Sequence, residues 1–170
     1  MNTVNVRYHK LAANAVCPSI ATDYSACFDL VYCGEHTMAV SGYDWHNKPI
    51  TKELDLMRTL VISPGDRLLI PTGLIFDIPI GFSMRIHPRS STAYKLGLML
   101  ANGEGVIDSD YKEEVFMLMV NTTVEDIEIK NNTRLCQGEI VPQIPVTLEK
   151  TEFRPQHVSM RVGGFGSTGV

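Results

Sequence analysis

The chain has 170 residues, a length that suits one domain with a real hydrophobic core. Its 44% apolar and 20% charged residues are ordinary for a globular protein, and fifteen basic against nineteen acidic residues leave a net charge of -4. That balance argues against nucleic acid or an anionic membrane held by bulk charge, so an anionic ligand needs locally placed arginines or backbone amides.

The first stretch, "MNTVNVRYHKLAANAV", lacks the long apolar core of a signal peptide, and no apolar run in the chain reaches bilayer length. A cytoplasmic protein is expected. Cys17, Cys27, Cys33 and Cys136 show no C-x-x-C spacing and read as reduced, mostly buried small apolar groups. The histidines at 9, 36, 46, 87 and 157 are scattered without helical i, i+4 spacing, so a protein-ligated metal is not expected.

Next, "ACFDLVYC" at 26–33 reads as a strand with Asp29 inside an apolar run. A carboxylate there needs a partner, either backbone groups or a polar cleft. Residues 34–55 read as a long polar loop holding Trp45, the one tryptophan. With Tyr43 and Asp44 beside it, this loop is a candidate surface for a protein partner; the plainer reading is a tryptophan that plugs the loop onto its own core. "TKELDLMRTL" at 51–60 fits helix or strand.

The punctuation that follows is that of an all-β protein: "SPGD" at 63–66, "PTG" at 71–73, "IPIG" at 78–81, "NNT" at 131–133 and "VPQIP" at 141–145. Short strand-like segments lie between, among them "RLLI", "GLIFDI", "FSMRIH", "EVFMLMV" and "IEIK". Val115 to Val120 is continuously apolar, which predicts a strand buried on both faces, at a sandwich centre or a subunit interface. Helix is scarce, with one candidate at 90–97 capped by Ser90 or Ser91 and stopped by Gly97.

Three stretches carry candidate chemistry. In "HPRSSTAYKLGL", 87–98, Arg89 stands before two serines at a helix start, which gathers a guanidinium, hydroxyls and backbone amides suited to phosphate. In "ANGEGVIDSDYKEEVFMLMV", 101–120, a glycine-flanked turn can offer its backbone to a base edge, and Asp108 follows two apolar residues, so it could be partly desolvated at a cleft edge as a general base needs; the plain alternative is a solvated turn before a strand. In "NTRLCQGEIVP", 132–142, Arg134 and Gln137 flank an apolar strand, with an arginine–carboxylate pair as the plain structural role. The end, "RVGGFGSTGV", is rich in glycine, whose ordering costs the most backbone entropy, yet it carries Phe165 and Arg161.

Taken together and in order, these pieces resemble the trimeric dUTPase family, whose members carry five short motifs. "SACFDL" resembles the first, "PRSS" the second, "NGEGVIDSDY" the third, "RLCQ" the fourth and "GGFGSTG" the fifth. "PGDRLLIPTGLIFDIPIGF" is similar to the family's connecting strands. The resemblance spans residues 20–170 and leaves 34–55 as an apparent insertion.

The resemblance implies a jelly-roll-like β-sandwich or distorted barrel over 1–158, assembled as a homotrimer with shared active sites, and a flexible lid arm over 159–170. The implied reaction is dUTP and water to dUMP and pyrophosphate. Asp108 would hold the 3′-hydroxyl and orient or deprotonate the attacking water. Tyr111 would lie under the sugar and reject a 2′-hydroxyl. Asn102, Gly103, Gly105, Val106 and Ile107 would hold base and sugar, with Phe165 stacked on uracil. Arg89, Ser90, Ser91, Gln137, Arg161, Gly166, Ser167 and Thr168 would hold the phosphates. Mg²⁺ is implied on the triphosphate, with Asp29 reaching it only through water.

Four departures from the family pattern mark a divergent member, such as a virus encodes. Cys27-Phe28 replace a Gly-Tyr pair, Glu113 replaces a turn glycine, Asn132-Thr133 replace Pro-Gly, and Arg161 stands one residue too near Gly163. The related dCTP deaminases place a catalytic glutamate where this chain has Leu118, and an arginine where it has Tyr94. A leucine cannot relay protons, which disfavours that chemistry. A non-catalytic regulatory protein on the same scaffold is the remaining alternative.

Overall fold

The computed structural model describes residues 3–156 and Val158. Arg161, Phe165, Gly166, Ser167 and Thr168, and with them the expected lid over 159–170, lie outside the described residues.

Among the described residues twelve strands follow in chain order: β1 (Arg7–Lys10), β2 (Phe28–Val31), β3 (Ala39–Tyr43), β4 (Pro49–Glu53), β5 (Leu60–Ile62), β6 (Arg67–Asp77), β7 (Phe82–Pro88), β8 (Leu98–Leu100), β9 (Gly105–Ile107), β10 (Glu114–Asn121), β11 (Ile127–Ile129) and β12 (Arg134–Pro142). All pairings are antiparallel. One sheet runs β4-β3-β6-β10-β8, with β1 added beside β6; a second runs β2-β12-β7-β9; β5 and β11 form a short ribbon. The sheets stay open among the described residues, so the expected all-β sandwich holds without closing into a barrel.

The core lies between the two larger sheets. Leu30, Leu68, Ile70, Met84, Ile86, Met117, Met119 and Leu135 are fully enclosed, each contributing about 1.5–3 kcal/mol of burial. Tyr32 joins them because its hydroxyl donates to the Arg58 carbonyl at 2.9 Å, and burial pushes that hydroxyl's pKa up. Asn121 ties the ribbon to the large sheet, donating to the carbonyls of Ile62 and Glu125 at 2.8 Å each.

Three expectations change. Residues 34–55 are not simply loop, since β3 and β4 form a hairpin that extends the large sheet through Gly42 and Tyr43 against Leu68 and Arg67. Segment 51–60 is neither a helix nor one strand: β4 ends at Glu53, and a turn with Arg58 at φ 59 leads into β5. The run from Val115 to Val120 alternates, with Val115, Met117 and Met119 buried and Phe116, Leu118 and Val120 half-buried on the opposite face. One helical turn, Thr92–Leu96, sits where helix was expected, and Gly97 stops it at φ 66. Ser91 occupies the N-cap position without a side-chain capping bond.

Candidate active site

The strand register builds a polar corner at one end of the second sheet. Gln137 on β12 lies between Asp29 on β2 and His87 on β7, and Arg89 follows the last residue of β7. The Arg89 amide continues the ladder by donating to the Leu135 carbonyl at 3.1 Å, so the base of its side chain is held by backbone. Arg89 Nε lies 3.1 Å from one Asp29 oxygen, and Arg134 Nη1 donates to the other at 3.1 Å. The Asp29 side chain retains 18% exposure, so its carboxylate is largely desolvated and both guanidiniums compensate it.

These three residues line a cavity of about 450 Å³ together with Ser90, Ser91 and Gln137. Two guanidiniums against one carboxylate leave one positive charge beside hydroxyl and amide donors. Such a corner suits a polyphosphate. It also gathers Asp29, Arg89, Ser90, Ser91 and Gln137, the residues that sequence reading drew from three separate motifs. Arg134 received no ligand role in that reading; the plain arginine–carboxylate pair does form, and its partner is Asp29.

The second group is built on the turn before β9. Gly103 adopts φ 75 and donates to the Leu100 carbonyl at 3.1 Å, which leaves Asn102 exposed at the tip. Gly105 must be glycine because a Cβ there would stand 2.9 Å from the Cβ of Ile86. β9 then points Val106 outward and packs Ile107 against the core. Asp108 follows at the strand end, exposed to solvent and not desolvated as the sequence suggested, and its carbonyl accepts the Tyr111 amide at 3.2 Å. The Tyr111 hydroxyl donates to the Glu114 carbonyl at 2.8 Å. Burial, then the Glu113 and Glu114 charges, raises its pKa. Lys112 anchors the loop by donating to Asp77 at 2.8 Å. Glu113, where a glycine was expected, is not among the residues with positive φ, so this turn accepts a side chain.

Within one chain Asp108 does not reach the arginine corner, although the turn before β9 does come near it, with Glu104 3.7 Å from His87. Ile107 pairs with Met84, whereas Arg89 lies five residues further along β7 and beyond it, roughly 16 Å at the rise of an antiparallel strand. Asp108 and the arginine corner therefore occupy opposite ends of the same strand.

The sequence model of the dUTPase family matches residues 53–169. The chain belongs to the dUTPase family. The deoxyuridine 5′-triphosphate nucleotidohydrolase of Nautilia profundicola is 37% identical over 133 residues, which cover 78% of this chain and 87% of that one. The same-named protein of Rhizobium rhizogenes is 44% identical over 66% of this chain and 71% of its own. Among solved structures, the dUTPase of Staphylococcus bacteriophage 80alpha with dUPNHPP shares the fold at a TM-score of 0.76, with 20% identity, 99% of this chain covered and all of that one. The Streptococcus mutans dUTPase gives a TM-score of 0.62 at 24% identity, covering 82% of this chain and 98% of that one. The matched segment contains the second to fifth motifs; "SACFDL" and most of the β3–β4 hairpin precede it.

Proposed function

We infer that this dUTPase hydrolyses dUTP to dUMP and pyrophosphate, and that each active site is shared between chains of a homotrimer. The observation that carries the sharing is the separation of Asp108 from the arginine corner along β7. General-base chemistry needs its carboxylate within hydrogen-bond reach of the reacting water. A second chain supplies the missing half when its Asp108 end meets the first chain's Arg89 end.

In this reading the triphosphate lies in the corner of Arg89, Ser90, Ser91 and Gln137, with Arg134 completing the positive wall. Asn102 and the backbone from Gly103 to Ile107 of the neighbouring chain read the uracil edge and support the sugar. Tyr111 lies against the sugar and leaves no room for a 2′-hydroxyl. Asp108 holds the 3′-hydroxyl and takes a proton from water as the water oxygen bonds to the α-phosphorus. The bond from that phosphorus to the bridging oxygen breaks, and pyrophosphate leaves. The arm over 159–170 brings Phe165 onto the base and Arg161, Gly166, Ser167 and Thr168 onto the phosphates.

Mg²⁺ fits the donor set. Asp29 and the serines are hard oxygen donors, and among the described residues no cluster of three acidic, histidine or cysteine side chains could grip a metal directly. Each Asp29 oxygen already meets an arginine but keeps lone pairs to hold metal-bound water, as suits an ion that parts with water reluctantly. Bound there, the ion would neutralise charge on the phosphates. The reducing cytoplasm suits cysteines that are all free, with Cys33 and Cys136 buried and their thiol pKa values raised by burial.

The β3–β4 hairpin supports a further protein partner, since Trp45 at its tip is 70% exposed and does not plug the core. The test of the central reading is pyrophosphate release with Mg²⁺ across dUTP, UTP, dCTP and dTTP. Turnover confined to dUTP agrees with it; turnover of none, or ammonia release from dCTP, overturns it.

A further inference from the structure

His36 lies in the turn before β3, ahead of the segment that the family's sequence model matches. Its Nε2 stands 2.9 Å from Glu114 Oε2, with the two side chains 18% and 12% exposed. The other carboxylate oxygen accepts the Gly73 amide at 2.7 Å. A carboxylate only accepts, so Nε2 carries the proton in this pair. Glu114 opens β10 at a break in register against β6: it pairs with Ile75, whereas Phe116 pairs with Pro71. The extra length is pinned from the β6 side by Thr72, whose hydroxyl donates to the Val115 carbonyl at 2.7 Å. Gly73 is held beside it at φ 68, where a Cβ would stand 2.9 Å from Cys33 Sγ.

Bulges of this kind re-aim the chain next to functional sites. The extra residues lie on β6 between Pro71 and Ile75, and Glu114, paired at the edge of that break, is the residue whose carbonyl accepts the Tyr111 hydroxyl. One residue thus binds Tyr111 through its backbone, and β6 and His36 through its side chain. The height of the Tyr111 ring is set by a carbonyl that His36 helps to hold.

We propose that His36 and Glu114 are positioning residues that fix Tyr111 against the sugar and so sharpen discrimination between dUTP and UTP. This rests on the reading of Tyr111 as the residue that excludes a 2′-hydroxyl. Neither side chain touches substrate in this account, so their loss should act on selectivity more than on turnover of dUTP.

The experiment measures kcat and KM for dUTP and UTP, with melting temperature, for full-length His36→Ala, His36→Gln, Tyr111→Phe and Tyr111→Ala. Losing one hydrogen bond that orients the ring should lower the dUTP-to-UTP ratio of kcat/KM roughly three- to tenfold in His36→Ala. His36→Gln keeps an N–H donor towards Glu114 and should restore most of the ratio. Tyr111→Phe, which cuts the hydroxyl-to-carbonyl bond, should match His36→Ala, and the double variant should lose no more than either single one. Should His36→Ala fail to fold, His36→Phe fills the space without a ring N–H and takes its place. An unchanged ratio in His36→Ala, or a fall in melting temperature and kcat without a change in ratio, overturns the proposal. If Tyr111→Ala also leaves the ratio unchanged, the underlying reading of Tyr111 fails instead.

Discussion

The arginine corner and the Asp108 segment are prepared in different ways. In the corner, three charged side chains from β2, the end of β7 and the start of β12 pair with one another before any ligand arrives and leave one positive charge over. The segment from Asn102 to Tyr111 is shaped mainly by backbone: a left-handed glycine, a close-packed glycine and a tyrosine tied to a carbonyl. Asp108 itself stands exposed. On the proposed shared-site reading, a single chain is organised to grip phosphate and borrows its base from a neighbour, so activity should appear only on assembly.

The sharpest way to break this contrast is Asp108→Asn, which keeps shape and removes the base. Turnover should fall about 10²–10⁴-fold while dUTP binding is retained, as single-turnover kinetics and calorimetry would report. Full activity in that variant would remove the base from the account. Arg89→Ala should act on binding, lowering kcat/KM by roughly 10- to 150-fold for the loss of a charge-assisted bond. A loss confined to kcat would place Arg89 elsewhere.

Thr72→Val tests the scaffold beneath the second region. The Thr72 hydroxyl, buried, donates to Val115 and accepts from Leu74. Its removal should cost about 1–3 kcal/mol in urea unfolding, and an unaltered midpoint would show the bulge needs no such pin. The smallest effect concerns Asp77, whose carboxyl pKa the Lys112 hydrogen bond, and then Arg7, holds below its ordinary 3.8. A lowered folded pKa stabilises above 3.8 and loses that contribution as pH falls through the folded value. The stability gap between wild type and Asp77→Asn should therefore be small at pH 6 and narrow at pH 3. An equal gap at both would assign Asp77 no such role.

Fold class and family were legible because turn chemistry and ordered motifs are local in sequence. The β3–β4 hairpin was not, since its strands lie at a sheet edge where only Val40 is buried among largely polar neighbours. Alternation in β10 was hidden because both of its faces are apolar, although only one meets this chain's core. The contributors to the arginine corner could be named one at a time, but not the shared carboxylate, because Arg89 and Arg134 are distant in sequence from Asp29 and converge only through the register of β2, β12 and β7. His36 left no sequence signal: it is a lone histidine in a polar stretch, and Glu114 acquires its meaning from a bulge that only the pairing reveals.

The most direct test of shared sites mixes two impaired variants and reads kcat/KM at dUTP well below KM. Asp108→Asn and Arg89→Ala chains, unfolded together and refolded as one population, should regain dUTP turnover, with about a quarter of the sites pairing an intact Asp108 from one chain with an intact Arg89 from another. Activity no greater than the average of the two variants refolded separately would contradict the account, because it would mean that one chain brings both groups to the same phosphorus.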